Sequence, residues 1–410
     1  MHRAALPLLA PLAALVLVPA CGSSDPATST TSSTSTTAST STTATGTGGQ
    51  GGEGTGGQGG AGTGGEGGSG GAPFVPAKHT PFPTLSLHSE PVFAHPKLVT
   101  ITFPGYAHKA EVEAFGDAAV TSSWLTAVGA EYGIGAGTHL AKVVLPDAAP
   151  ATLDDGGVIA LIGARIADGT LPDGTVDDEV IYMIYIPGST ALTDDGKLCD
   201  DFLGYHWDAK VNNKHIAYAV IGDCDGPITD TTSTAAHELI ETASDAVDAL
   251  YLDPSENDPW ILLSGMENAD LCQELPNVNE SSFAFQRSWS DAAHKAGGAP
   301  CVPTEPGEIF YNVTAQPANV PSLLPGQSAT FTLTGWSTAP MADWSLSVDD
   351  YLLYDFVPDY ELTGETINNG LTATVKLTVP PGTPSGSIGG VLIDSGPGYG
   401  RYWPVAVKVK

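Results

Sequence analysis

Residues 231–248 read TTSTAAHELIETASDAVD, and this stretch decides the fold. Its centre is rich in helix formers, and the hydroxyls of Thr231, Thr232 and Ser233 are candidates for the N-cap. In a helix, His237, Glu241 and Asp245 follow one another at every fourth position and stack on one face. Glu238 is adjacent to His237 and reaches the same pocket. A neutral imidazole and a carboxylate one turn apart are half of a divalent-metal site. A free carboxylate beside them can act as general base towards an attacking water. Glu241 stands where the metalloprotease pattern H-E-x-x-H has its second His, so further donors must come from elsewhere in the chain. An ordinary amphipathic helix is the alternative reading of those five residues alone.

Upstream, Pro96–Phe103 (PKLVTITF), Leu140–Leu145 (LAKVVL), Val180–Ile186 (VIYMIYI) and Ile216–Ile221 (IAYAVI) read as strands, the last two apolar enough to be buried on both faces. Ala110–Tyr132, carrying Phe115, Trp124 and Leu125, and Asp154–Ala167 read as helices between them. This order predicts a mixed α/β arrangement within an α+β chain. Downstream, Tyr251–Pro303 is loop-rich and holds Glu267, with Asp270 one turn beyond it. From Glu308 onward the texture changes to short strands separated by Pro/Gly turns: Ile309–Ala315, Ser328–Gly335, Trp344–Val348, a weaker one near Leu352–Val357, Leu371–Val379, Ile388–Ser395 and Tyr402–Lys410. That spacing predicts an all-β, immunoglobulin-like sandwich.

The segments HELIETASDA and ENADLC resemble the paired motifs H-E-x-x-E-x-x-[ST]-[DN]-P and E-x-x-D-x-C of the EXORDIUM / phosphate-induced protein 1 family of secreted proteins. IYMIYIP, the Gly204-Tyr205-His206 segment and QRSWSDAAHKAGGAPC agree, and the resemblance covers about residues 96–303. It implies a zincin-like site for one divalent metal, zinc first, with His237, Glu241 and Glu267 as ligands and Glu238 at the base position. Asp270 becomes a further ligand or an acceptor for His237. Asp245 is either a further ligand or orienting acceptor, or else a C-terminal helix cap or turn residue. His206 is a candidate substrate contact or a packed side chain. Ala246 stands where the family has Pro. A His with two carboxylates also admits Ca²⁺ or Mn²⁺.

The remaining features concern the chain's address. Formal net charge is −31, from 15 basic and 46 acidic residues; nucleic acid and anionic membrane surfaces are poor partners for such a chain. Residues 1–21 read as a lipoprotein signal peptide, with Val18-Pro19-Ala20-Cys21 resembling a lipobox that would be lipidated at Cys21. Residues 22–72 are a Ser/Thr- and then Gly-rich tether without the apolar surface to fold. Residues 73–303 form the metal-site domain and 304–410 the sandwich. The export context favours disulfides. Of three pairings, Cys199–Cys224 and Cys272–Cys301 close the shortest loops. The expected protein is a monomer on the outer membrane or cell surface, hydrolysing a peptide or acting on cell-surface polymer. The alternative is a catalytically inactive surface protein that binds protein or glycan.

Overall fold

Every residue of Val180–Ile186 is buried, and alternate side chains enter two different cores. Ile181, Met183 and Tyr185 face one way; Val180, Tyr182, Ile184 and Ile186 face the other. The run is therefore the middle of a sheet covered on both sides. The computed structural model describes residues 73–193, 196–350, 354–396 and 401–410. It is a mixed α+β protein with many strands and few helices. The expected signal peptide, Cys21 and tether lie outside the described residues. Among the described residues no helix is long and apolar enough to cross a membrane.

The covered sheet has five strands, β1 (Lys97–Thr102), β2 (Thr138–Val144), β3 (Val180–Ile186), β4 (Gly204–Val211) and β5 (Lys214–Gly222), in the order β2-β1-β3-β5-β4. The pairs β1/β2, β1/β3 and β3/β5 are parallel, and the edge strand β4 is antiparallel to β5. A two-residue turn joins β4 to β5, with Asn212 and Asn213 at φ 51° and 60°. Asparagine tolerates that left-handed pair, which matches the twist of a hairpin.

Helices α1 (Lys109–Ala119), α2 (Ser123–Gly129) and α4 (Ile228–Asp245) cover one face, and α3 (Asp155–Ala167) covers the other. The expected single helix over Ala110–Tyr132 is broken. Ser122 adopts an extended conformation, and its hydroxyl accepts from Leu125 N, so a second helix is capped there. Helix α4 starts at Ile228, ahead of the hydroxyl cluster, behind Pro227, which gives no side-chain cap. Thr232 and Thr234 instead donate back to the carbonyls of Thr229 and Asp230.

The C-terminal part holds two sheets. One runs β6-β8-β12-β10, from β6 (Tyr311–Gln316), β8 (Ser328–Ser337), β12 (Thr372–Thr378) and β10 (Asp359–Thr363). The other runs β7-β14-β13-β9-β11, from β7 (Ser322–Leu323), β14 (Tyr402–Val409), β13 (Ile388–Ser395), β9 (Trp344–Asp349) and β11 (Thr366–Ile367). Alternate residues of both, among them Phe331, Leu333, Val375, Leu377, Val391, Ile393, Val405 and Val407, share one core. Of the weaker strand expected near Leu352–Val357, Leu352 and Leu353 lie outside the described residues; in the described remainder Phe356 makes a single bridge to Gly389, and the next strand is β10.

That core extends beyond the two C-terminal sheets. Phe82, from the N-terminal approach, packs among Trp260, Trp289, His294, Phe310, Trp336 and Trp403, with ring centroids 5.4–6.1 Å away. Leu271 and the Cys272–Cys301 disulfide belong to the same cluster. Residues 74–410 accordingly form one compact unit. Both expected disulfides are present, Cys199–Cys224 and Cys272–Cys301.

Asp394 on β13 is 2% exposed, and its Oδ2 has no hydrogen-bond partner. Burial, and then the nearby Asp349 and Glu274 carboxylates, push its pKa up to about 7. The native state thus keeps a proton that the unfolded chain releases near pH 4, so stability falls as pH rises from about 4 to 7 and the penalty is complete above 7. Asp394→Asn is expected to flatten that slope and to raise unfolding free energy at pH 8 by about 2 kcal/mol. Urea titrations at pH 5 and pH 8 measure it; equal midpoint shifts at both would contradict it.

Candidate metal centre

The centre is built where α4 passes the beginning of β4. Strand alternation sends Tyr205 to the α3 side, where its hydroxyl donates to Asp155 at 2.9 Å, and His206 to the α4 side. The approach is close because residue 204 is glycine. A Cβ there would stand 2.7 Å from Thr234 Cγ2, 2.9 Å from the Val220 carbonyl oxygen and 3.0 Å from Glu238 Oε1. Any larger residue pushes β4 off the helix.

On the helix, His237 Nε2 lies 2.8 Å from Glu241 Oε2 and 3.5 Å from Asp270 Oδ1. Its Nδ1 faces Gln286 Oε1 at 3.1 Å, and Gln286 in turn donates to the Ala269 carbonyl at 2.9 Å. That pairing leaves Nε2 as the imidazole atom turned to the carboxylates. His206 Nδ1 lies 3.3 Å from Glu238 Oε2 and 3.8 Å from Glu241 Oε2. On its other side, His206 Nε2 lies 3.3 Å from Glu267 Oε2. That contact is within ion-pair reach but not aligned as a hydrogen bond, and Glu267 Oε2 is a buried oxygen without a hydrogen-bond partner.

The loop carrying Glu267 and Asp270 is tied down from several directions. Glu241 Oε1 accepts from Ala269 N at 3.1 Å and Asp270 N at 2.9 Å. Asn268 donates to Ser244 Oγ at 3.0 Å, and its carbonyl accepts from Trp289 N at 2.7 Å. The Tyr402 hydroxyl, on β14, donates to the Leu271 carbonyl at 3.0 Å. Cys272 is held by Cys301.

Two sets of donors result. His206, Glu241 and Glu267 form one and His237, Glu238 and Glu241 the other, with the donor atoms of each set within 4.8 Å of one another. His237, Glu241 and Glu267 are the ligands the resemblance implies; the structure brings Glu267 to the centre from the His206 side. His206, expected at most as a substrate contact, is a donor of the same standing. Its only sequence signal was a Gly-Tyr-His segment ahead of a buried strand, where alternation allows either face. Asp270 sits beside His237. Asp245 occupies the turn: its Oδ1 accepts from Ala249 N and from Leu250 N, the latter at 3.0 Å. Trp289 lies beneath the loop, its backbone N–H donating to the Asn268 carbonyl. Gln286 opens the segment QRSWSDAAHKAGGAPC, but nothing in that segment marks it as a site residue, and Tyr402 falls in no motif.

The chain matches no protein-family model, no curated protein and no solved structure. What the site can do must therefore come from its own chemistry.

The electrostatics describe a buried surplus of negative charge. Burial lowers the affinity of the His237 imidazole for a proton, but the Glu241 and Glu238 carboxylates outweigh it and hold its pKa well above the usual value. His206 behaves likewise: burial works against the charge, and the hydrogen bond to Glu238 and the charge of Glu241 raise the pKa. Burial, and then Glu241, Asp245 and Asp270, push Glu267 well above the carboxylate range. Asp270 is pushed up to about 7 by burial and Glu241, and Asp245 up to about 6 by burial. Glu241 goes the other way, lowered by His237 in spite of burial. A set of carboxylates this deep needs cations beside it. Imidazole nitrogens and carboxylate oxygens, one of them unpartnered, are suitable donors for a divalent metal.

Proposed function

We propose that the chain is an exported, lipid-anchored, metal-dependent hydrolase cleaving peptide bonds, with a zincin-like α/β part followed by an immunoglobulin-like β-sandwich. The observation that carries this reading is the convergence of His237, Glu238 and Glu241 from one helix with His206 and Glu267 from elsewhere on a shared carboxylate. The resemblance of HELIETASDA and ENADLC to the paired family motifs supports it, and the two disulfides support an oxidising compartment.

His237, Glu241, His206 and Glu267 would hold the metal. Zinc is the first expectation, and the carboxylate-rich donor set suits Mn²⁺ as well. When bound, the metal supplies Lewis acidity that polarises a substrate carbonyl. Glu238 is the group placed to take a proton from attacking water. Gln286 fixes the imidazole of His237, and Glu241 Oε1 holds the loop of Glu267 and Asp270 to the helix.

A second reading is favoured by one observation: Glu238 is only 4% exposed. In that reading the centre is a structural staple in a surface protein that binds protein or glycan. Glu238→Gln separates the two. The enzyme is expected to keep metal and lose cleavage of a casein or peptide-library substrate by about 100-fold or more. Wild-type protein that binds metal but cleaves nothing would establish the staple, and absence of metal by elemental analysis would remove both.

A further inference from the structure

Glu241 belongs to both donor sets, and its two oxygens are not equivalent. Oε1 is taken by the backbone N–H groups of Ala269 and Asp270. Oε2 is turned towards both imidazoles, 2.8 Å from His237 Nε2 and 3.8 Å from His206 Nδ1. We propose that the centre takes two first-row divalent cations, one held by His206 and Glu267 and the other by His237 and Asp270, whose Oδ1 lies 3.5 Å from His237 Nε2, with Glu241 Oε2 shared between them and Glu238 left free as the base. This deepens the metal-hydrolase reading and rests on it.

Three observations support two ions rather than one. The donors fall on two sides of Glu241. His206 and Glu267, 3.3 Å apart, have the spacing of two neighbouring ligands bonded at about 2.1 Å to one ion, and so does the pair His237 and Glu241 at 2.8 Å. Charge points the same way. Glu238, Glu241, Glu267 and Asp270 are four carboxylates in one largely buried centre. One divalent ion between neutral imidazoles leaves two negative charges uncompensated; two ions leave none. Finally, each set is one imidazole with two carboxylates, a donor mix that suits Mn²⁺ and Zn²⁺ alike. Paired ions about 3.5–4 Å apart are a recognised means of clamping both oxygens in a hydrolytic displacement.

The test is metal stoichiometry on the full chain, stripped with chelator, reloaded with Mn²⁺ or Zn²⁺, dialysed and measured by elemental analysis. Two ions per chain are expected in wild type and in Glu238→Gln, one each in His206→Ala, His237→Ala and Asp270→Asn, and none in Glu241→Ala. Circular dichroism of each variant checks its fold. In wild type, which needs no substitution, the Mn²⁺-loaded protein is expected to show the multiline electron-paramagnetic signature of a coupled pair. A single ion per chain with an uncoupled six-line spectrum overturns the two-ion centre while leaving a one-metal hydrolase intact. No bound ion overturns both.

Discussion

Glu241→Ala is expected to lower divalent-metal affinity by roughly 100- to 1,000-fold, the share of one ligand in a site worth 10 kcal/mol or more. It is also expected to destabilise the metal-free protein by about 2 kcal/mol. The reason is that Glu241 does two things with two oxygens. Oε2 faces the imidazoles, and Oε1 accepts from Ala269 N and Asp270 N at 3.1 and 2.9 Å. Removing a charged acceptor strands two buried donors, at about 1–3 kcal/mol each. Relief of repulsion among Glu238, Glu267 and Asp270 offsets part of that. Glu241→Gln divides the roles: its amide oxygen can still accept from the loop, so stability returns while metal affinity does not. Isothermal titration with Zn²⁺ and urea unfolding with chelator present measure the two effects. Undiminished metal affinity in Glu241→Gln would place the metal elsewhere, if there is one.

Phe82→Ala is expected to cost about 3–5 kcal/mol, the range for deleting a buried ring that leaves a cavity. The ring is 6% exposed. It makes edge-on or tilted contacts with Trp260, Trp289, Phe310, Trp336 and Trp403, each aromatic pair contributing beyond its buried area. These partners come from the loop region after α4 and from both sheets of the C-terminal part. The cavity therefore opens where three segments meet, and none can close it without moving the others. Phe82→Leu, which keeps most of the volume, should cost under about 1.5 kcal/mol. Equilibrium urea unfolding compares them; a loss below 1 kcal/mol for the alanine variant would show that the N-terminal approach is dispensable.

Much of this architecture was legible in the sequence because local pattern and tertiary role coincide. Val180–Ile186 is apolar apart from two tyrosine hydroxyls and became the middle of the covered sheet. His237, Glu241 and Asp245 share a helix face simply through their spacing. The two disulfides followed from loop length. What stayed hidden depends on contacts between distant segments. Alternation in Gly204–Val211 does not say which face meets a helix, so His206 could not be assigned to the centre. Phe82 lies in a Pro-rich stretch without periodicity, and its value comes wholly from aromatic rings far along the chain. The break at Ser122 was missed because a serine inside an apolar pattern is compatible with a continuous helix until its hydroxyl finds Leu125 N.

The hydroxyl of Tyr402 has a practical consequence. It reaches across to the Leu271 carbonyl, between Asp270 and the disulfide of Cys272, from a strand near the very end of the chain. Arg287 makes a parallel reach, gripping both carboxylate oxygens of Glu308 at 2.9 Å. A shortened protein ending at residue 303 would lose both anchors and uncover Trp260, Trp289 and Phe82 to water. The last hundred residues are thus part of what keeps the acidic loop in register, and a search for minimal folded fragments should trim from the other terminus.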